Sequence, residues 1–568
     1  MEEIQEGLKI LSLLGFEEEE ENRSKLKNKD LSDLFENNFD FSPLHVILLD
    51  KTTYEEYKTP QKNLNAYPVI NEEEITKNRL QYIKFLVANK CNLNQAEKRF
   101  LNTPLHLATK NENMSLEIIQ YLLENKAQLN GKNVMKDSVL HCATINQNIS
   151  FEIMKVLIEN KSNLNQVNGK NKPPLHLAAS NCNISLDIIQ LFDHHKADLK
   201  VKSSFYKNSL LHTLCYNKSE DKTQIFEIVK FLCEKKAQIN YQNTYKNLPI
   251  HSATKNITPS RDLIRFLVEK KSKLNILNVQ QMSPLYLTII NEKFDFEIAS
   301  LLIESKSELN IKSDHSRNTP LNHVCLNSAK FDLKIIKYLI EKKSEINITS
   351  KNFYTPLLNT LKVKPVSFEL VKYLIENKSD TNLSDLDGNY PFHIACMNET
   401  VEINQLEYLI EKGCKINEKN EDNFLPLHFL CNRKNVGASE IQFLIEKKST
   451  YHPNKFNDMP HHLIKTFSLE IILTFLSQLN ICFSLSGNKN FDEILERHYN
   501  CSLWSIQTHH FFPPKFRFFV LVFILCMKEF SIQKKIGIFP KPLIFYLLNL
   551  SLLPNSKTKT FDLLNFKN

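Results

Sequence analysis

Glycine is scarce, with 9 in 568 residues. A chain so poor in it must place other residues wherever the backbone turns left-handed, and Asn, the next most tolerant, is abundant together with Lys. The 12 cysteines are scattered without a CxxC pair. That spacing excludes a disulfide framework and a structural zinc site, and fits a reducing, cytoplasmic compartment. The longest uncharged apolar run, Phe518 to Met527, has 10 residues, well short of the roughly 18 that span a bilayer, so a membrane segment is not expected. The opening MEEIQEGLKILSLLGFEEEEE lacks the basic flank of a signal peptide, so secretion is not expected either. No Gly-rich phosphate loop, nucleophile elbow, HxxxH pair or convergent carboxylate pair is found. An enzyme, a cofactor and a metal site are therefore not expected. Lys and Arg number 72 against 64 Asp and Glu, and the surplus is spread along the chain instead of massed on one stripe, so nucleic acid is not the expected partner.

What the chain has is a period. SPLH at 42 is followed by TPLH at 103, SVLH at 138, PPLH at 173, SLLH at 209, LPIH at 248, SPLY at 283, TPLN at 319, TPLL at 355, YPFH at 390, LPLH at 425 and MPHH at 459. Ten of the eleven steps between fourth positions are 34 to 39 residues. A period of this size means stacked copies of one supersecondary unit. Nine of the twelve copies carry His at the fourth position, and Tyr286, Asn322 and Leu358 replace it in the others. Catalysis has no use for nine copies of one base, and no Asp repeats with His106 at a fixed offset, so His106, His141 and His176 are expected to be structural. His194 with His195, and His509 with His510, are read as surface or satisfied polar groups.

TPLHLA followed by LEIIQYLLENKAQLN resembles the ankyrin repeat, and the resemblance covers about residues 41 to 480. It implies an all-α solenoid of helix-turn-helix repeats with projecting loops. It also implies that Thr103 caps the first helix, Pro104 occupies its first turn, His106 joins a hydrogen-bond network, and loops and first helices form a concave groove for a protein partner. Ser138, Ser209, Ser283, Thr319 and Thr355 can cap as Thr103 does. Pro173, Leu248, Tyr390 and Leu425 cannot, so those four repeats are expected to be weaker at that end. Where the family places Gly after the second helix, Lys126, Lys161, Lys196 and Lys236 stand here, with Gly kept at Gly413, each Lys costing about 1 kcal/mol. The inter-helix loop is two residues longer than usual, with Ser115, Ser150, Ser185 and Ser367 placed to cap the second helices.

The reading divides the chain into an N-terminal helical cap (1–40), the repeat array (41–480) with a polar insertion near 50–75 ahead of a second helix from about Arg79, and a small helical C-terminal region (481–568). Leu105, Ala108, Ile118, Ile119, Leu122 and Leu123 are the expected core of one repeat. Cys215, Cys325, Cys396 and Cys431 fall at one repeated position and read as small buried side chains. In the C-terminal region, Pro540-Lys541-Pro542 before LIFYLL is faintly similar to a SOCS box, which would imply a substrate receptor bound to elongin and a cullin ubiquitin ligase. Membrane association is the other alternative.

The binding surface is expected on the loops preceding each TPLH copy. Read in order these give Phe205, Tyr206 and Lys207, then Tyr245 and Lys246, then His315 and Arg317, then Phe353 and Tyr354, then Tyr390 and Phe424. Aromatic and Arg side chains are the ones enriched at interface hot spots. The stripe therefore suits a protein partner, with an acidic or extended segment as the expected ligand. Tyr390 and Phe424, nearest the helix starts, are equally suited to packing within the stack.

Overall fold

The computed structural model describes residues 42–48 and 72–464, except for Asn89, Ile149, Ser204, Asp314, Tyr451, Asn457 and Met459. The expected N-terminal cap, most of the 50–75 insertion, the second helix of the last repeat and the whole of 481–568, with its SOCS-like stretch and His509 and His510, lie outside the described residues. The chain divides after Pro320 into two compact units.

In the first unit, short and longer helices alternate. They are Pro43–Leu48 and Glu72–Ala88, Pro104–Lys110 and Leu116–Glu124, Val139–Ile145 and Phe151–Glu159, Pro174–Ser180 and Leu186–His194, Leu210–Cys215 and Lys222–Glu234, Pro249–Lys255 and Arg261–Glu269, and Pro284–Ile290 and Phe296–Glu304. The second unit continues the alternation with Leu333–Glu341 after Pro320–Leu326, then Pro356–Lys362 and Phe368–Glu376, Pro391–Met397 and Ile403–Glu411, Pro426–Cys431 and Ala438–Glu446, and a 3-10 turn at Pro460–Leu463. The helix Glu72–Ala88 starts ahead of Arg79 and takes in the end of the 50–75 stretch. In the first unit first helices pack on first helices and second helices on second helices, as Pro104–Lys110 does on Val139–Ile145 and Leu116–Glu124 on Phe151–Glu159, and in the second unit first helices pack on first helices, as Pro391–Met397 does on Pro426–Cys431.

The local causes repeat as well. Pro at the first helical position loses no hydrogen bond, because that N–H has no intrahelical partner. In Leu116–Glu124 the apolar residues Ile118, Ile119 and Leu122 form one buried face, and Leu105 and Ala108 are fully buried opposite. Leu123 is only half-buried, because it lies at the edge of that face. The helix stops in a paired C-terminal motif: Lys126 N–H donates to Leu123 O and Ala127 N–H to Leu122 O, both at 3.0 Å, with Lys126 at φ 70°. Lys161, Lys196, Lys236, Lys271 and Lys306 repeat this left-handed stop in the first unit, and Lys343, Lys378, Gly413 and Lys448 in the second.

Asparagine joins the repeats. Asn146 Nδ2 donates to Thr109 O and Asn111 O, Asn181 Nδ2 to Thr144 O and Asn146 O, and Asn217 Nδ2 to Ala179 O and Asn181 O. Asn256 and Asn291 extend the ladder. A second ladder runs through Asn94, Asn130, Asn240 and Asn275, whose side chains donate to the carbonyls of Lys126, Lys161, Lys271 and Lys306. These asparagines are therefore structural, because a side-chain amide supplies donor and acceptor at once between neighbouring backbones.

The second-helix caps follow expectation only in part. Ser150 Oγ accepts from Ile153 N–H at 3.4 Å, whereas Ser115, Ser185 and Ser367 stand at the cap position without a side-chain cap bond.

Candidate functional site

The repeated histidine is the chemical candidate to settle first. In His106 the ring Nδ1 accepts from Thr103 N–H at 3.2 Å and lies 2.7 Å from Thr103 Oγ1. Nε2 donates across to Asp137 O at 3.2 Å. With a donor facing Nδ1 and a carbonyl facing Nε2, the ring is the neutral Nε2–H tautomer. His141 and His212 repeat the pattern onto Lys172 O and Asn247 O. Each ring thus ties its own helix start to the next loop, and both nitrogens are consumed in doing so. Burial lowers the pKa of His45, His176, His212, His251 and His393 to about 4, and burial also holds His106 and His141 below the ordinary histidine value. A base so weak and so enclosed is a strut.

The geometry corrects the capping expectation. Where His is present, the Ser or Thr hydroxyl faces Nδ1, and it is the histidine that satisfies the cap residue's N–H. Leu248, Tyr390 and Leu425 each donate their N–H to His251, His393 and His428 at 3.0 to 3.2 Å, so these three starts keep that bond without a polar cap side chain. Pro173 has no N–H, and there His176 Nδ1 lies 3.4 Å from Thr213 Oγ1 instead. Where Tyr286 and Leu358 replace His, the hydroxyls of Ser283 and Thr355 accept from the helix amides of those residues at 3.2 Å. Asn322 reproduces the other half of the job, donating to Tyr354 O at 3.0 Å.

The loops before these helices are hairpin-like tips, and most are closed by one local device. Asn243 Oδ1 accepts from Tyr245 N–H and Asn247 N–H, while Lys246 N–H donates to Asn243 O and Lys246 takes φ 56°. Left-handed residues recur on other tips, with Lys207 at φ 50°, Arg317 at 54° and Phe353 at 58°, in turns that start from Ser203, Ser313 and Ser350. Successive tips are bonded along the stack, with Thr244 N–H on Tyr206 O and Val279 N–H on Tyr245 O, both at 2.9 Å.

Three of the expected binding residues come together in the first unit. The rings of Phe205 and Tyr206 meet edge to face with centroids 4.8 Å apart, and Tyr206 stacks on Tyr245 at 5.4 Å. Phe205 is 76% exposed and Tyr245 49%, so the cluster presents most of its surface outward. Lys207, Lys246, His315 and Arg317 are exposed beside tips of the same unit. In the second unit Phe353 is half exposed, but Tyr354 is half-buried, its hydroxyl accepting from Lys362 Nζ at 3.0 Å. Tyr390 and Phe424 are half-buried too, Tyr390 against His393 and Phe424 against Phe429. The sequence reading passed over aliphatic tips: Val134, Met135 and Val279 in the first unit, and Leu386 in the second, are also exposed. They stand six or seven residues ahead of the repeated fourth position, as Phe205, Tyr206 and Tyr245 do, and that register was the signal that could have found them.

Phe353 carries backbone strain, because a bulky residue at positive φ costs about 1 to 2 kcal/mol that glycine avoids. Phe353→Gly is expected to raise the denaturant midpoint, with a gain of about 1 kcal/mol. A lower midpoint would mean that the ring stabilises the tip.

The family description "Ankyrin repeats (3 copies)" matches residues 75–168, 118–203, 175–278, 250–352 and 363–457. The chain belongs to the ankyrin-repeat family. Ankyrin repeats are protein–protein interaction modules, and the all-α repeat fold described above is theirs. No curated protein matches the chain. Among solved structures, the human ASB11 ankyrin repeat domain is similar at 21% identity, over 42% of this chain and 97% of that one, with a TM-score of 0.35. Among the described residues, no helix is long and apolar enough to cross a membrane.

Proposed function

We propose that this ankyrin protein is a non-enzymatic scaffold that holds a protein partner, through an extended or acidic segment, on its tip loops and first helices. The observation that carries the reading is the row of exposed apolar side chains at two adjacent repeat positions in the first unit, on tips whose backbones are locked by hydrogen bonds. Loops recognise partners best when a rigid frame positions them. Cys142, Cys325 and Cys396 are free thiols whose burial pushes their pKa up to about 12. They fit packing roles in a reducing cytoplasm better than catalysis.

Replacing Tyr206 and Tyr245 together by Ala should leave the helical circular dichroism and the melting midpoint nearly unchanged. Partner capture in a pull-down quantified by mass spectrometry should fall at least about tenfold, since hot-spot truncations cost about 2 kcal/mol or more. Full capture by a well-folded double variant would move the site off these tips, with the 50–75 insertion as the next place to look.

A further inference from the structure

The tips between Gly131 and Met282 carry one sign of charge. Lys136, Lys170, Lys207 and Lys246 are exposed, and among the described residues none of them is paired with a carboxylate. The only acidic side chain on these five tips is Asp137, which is buried and accepts from Asn168 Nδ2 at 2.8 Å. The same fold position in the second unit is occupied differently. There Asp387 and Glu421 are exposed, and Asp422 is paired with Lys455 at 3.2 Å. The repeat fold therefore does not require basic tips. Their charge in the first unit comes from the residues chosen there and not from the fold.

Between the lysines stand Val134 (53% exposed), Met135 (46%), Phe205, Tyr206, Tyr245 and Val279 (53%). Lys136, Lys207 and Lys246 sit at positive φ, in turns closed by backbone N–H groups that donate to the side chains of Asn133, Ser203 and Asn243, so their backbones are ordered before any partner arrives. We propose that this row selects a linear protein segment that is at once acidic and apolar, its carboxylates meeting the four lysines and its apolar side chains covering the exposed tips. The proposal rests on the scaffold reading above and narrows its partner. Complementary charge of this kind sets specificity and association rate, and weakens with salt.

Lysines among aromatics would also suit single-stranded nucleic acid, which needs free ring faces on which bases stack. Here Tyr206 and Tyr245 stack on each other with an interplanar angle of 29°, each covering a face of the other. Val134, Met135 and Val279 have no ring at all. The surface fits a peptide better.

The test is selection of a displayed library of random sixteen-residue peptides on the full chain. A Lys136→Glu/Lys170→Glu/Lys207→Glu/Lys246→Glu variant, checked by circular dichroism, and the Tyr206→Ala/Tyr245→Ala variant run in parallel. The selected peptides should be enriched in Asp and Glu alongside Leu or Phe, and should bind the charge-reversed variant at least about tenfold more weakly. They should also weaken on the tyrosine variant and as salt is raised. Selected peptides without acidic enrichment, or with equal affinity for the charge-reversed variant, would overturn the proposal while leaving the scaffold reading intact. A thymidine oligomer that displaces the peptides and binds more tightly would overturn it in favour of nucleic acid. Failure to select any peptide would count against the scaffold reading itself.

Discussion

Lowering the pH from 7 to 5 should unfold the first unit. His45, His176, His212 and His251 are held at about 4 in the fold, while in an unfolded chain they return to about 6.5. A folded pKa below the unfolded one means that the unfolded state takes up the proton first. Their stabilisation is therefore complete above the unfolded value and is lost as pH falls from about 6.5 towards 4. At pH 5 each such ring gives up about 2 kcal/mol, so four together approach the whole stability of an ordinary domain, about 5 to 15 kcal/mol. Urea titrations at pH 7, 6 and 5, followed by circular dichroism, should show the midpoint dropping at each step. A midpoint that does not move between 7 and 5 would falsify the strut assignment. His212→Asn, which copies the donor that Asn322 uses, should flatten part of the dependence.

Arg433→Ala should be the most damaging single change in the second unit. The guanidinium is buried where the first unit's ladder places asparagine. Its Nε donates to Cys396 O at 2.7 Å, one terminal nitrogen to Ala395 O at 2.8 Å, and the other to Val401 O at 3.1 Å and Glu440 at 2.9 Å. Removing it takes a donor from three carbonyls and the cation from Glu440, in a site where the guanidinium side chain was only 2% exposed. Breaking a buried pair of this kind costs about 3 to 5 kcal/mol. Chemical denaturation of the second unit's helical signal would measure it, and a loss below about 1 kcal/mol would mean that water replaces the side chain.

The period, the helix pairs and the buried face of each repeat were legible in the sequence, because Pro at the first turn and apolar spacing within one helix are local signals. The left-handed lysines were legible for the same reason, since Lys126 and its equivalents stand where the chain must turn. The division of labour between Thr103 and His106 was not. It depends on the Nδ1 geometry and on a carbonyl 31 residues away, which no spacing within one repeat reveals. The aromatic cluster of Phe205, Tyr206 and Tyr245 was found by residue type, whereas Val134, Met135, Val279 and Leu386 were missed for the same reason, since type and not register guided the reading. Tyr354 looked exposed from its place in the loop. Only the neighbouring turn of helix, which brings Lys362 onto its hydroxyl, shows that it is partly covered.

The asparagine ladders also bear on synthesis at the ribosome. Each rung closes over one period: Asn146 reaches back 35 residues to Asn111 O, Asn181 reaches 35 to Asn146 O, and Asn130 reaches forward 31 to Lys161 O. No rung waits for a distant part of the chain. A repeat can complete its side-chain bonds once the next thirty or forty residues have emerged, and the low contact order makes that step fast. The growing chain can therefore be finished behind the point of elongation, one repeat at a time, with little apolar surface left open to other nascent chains.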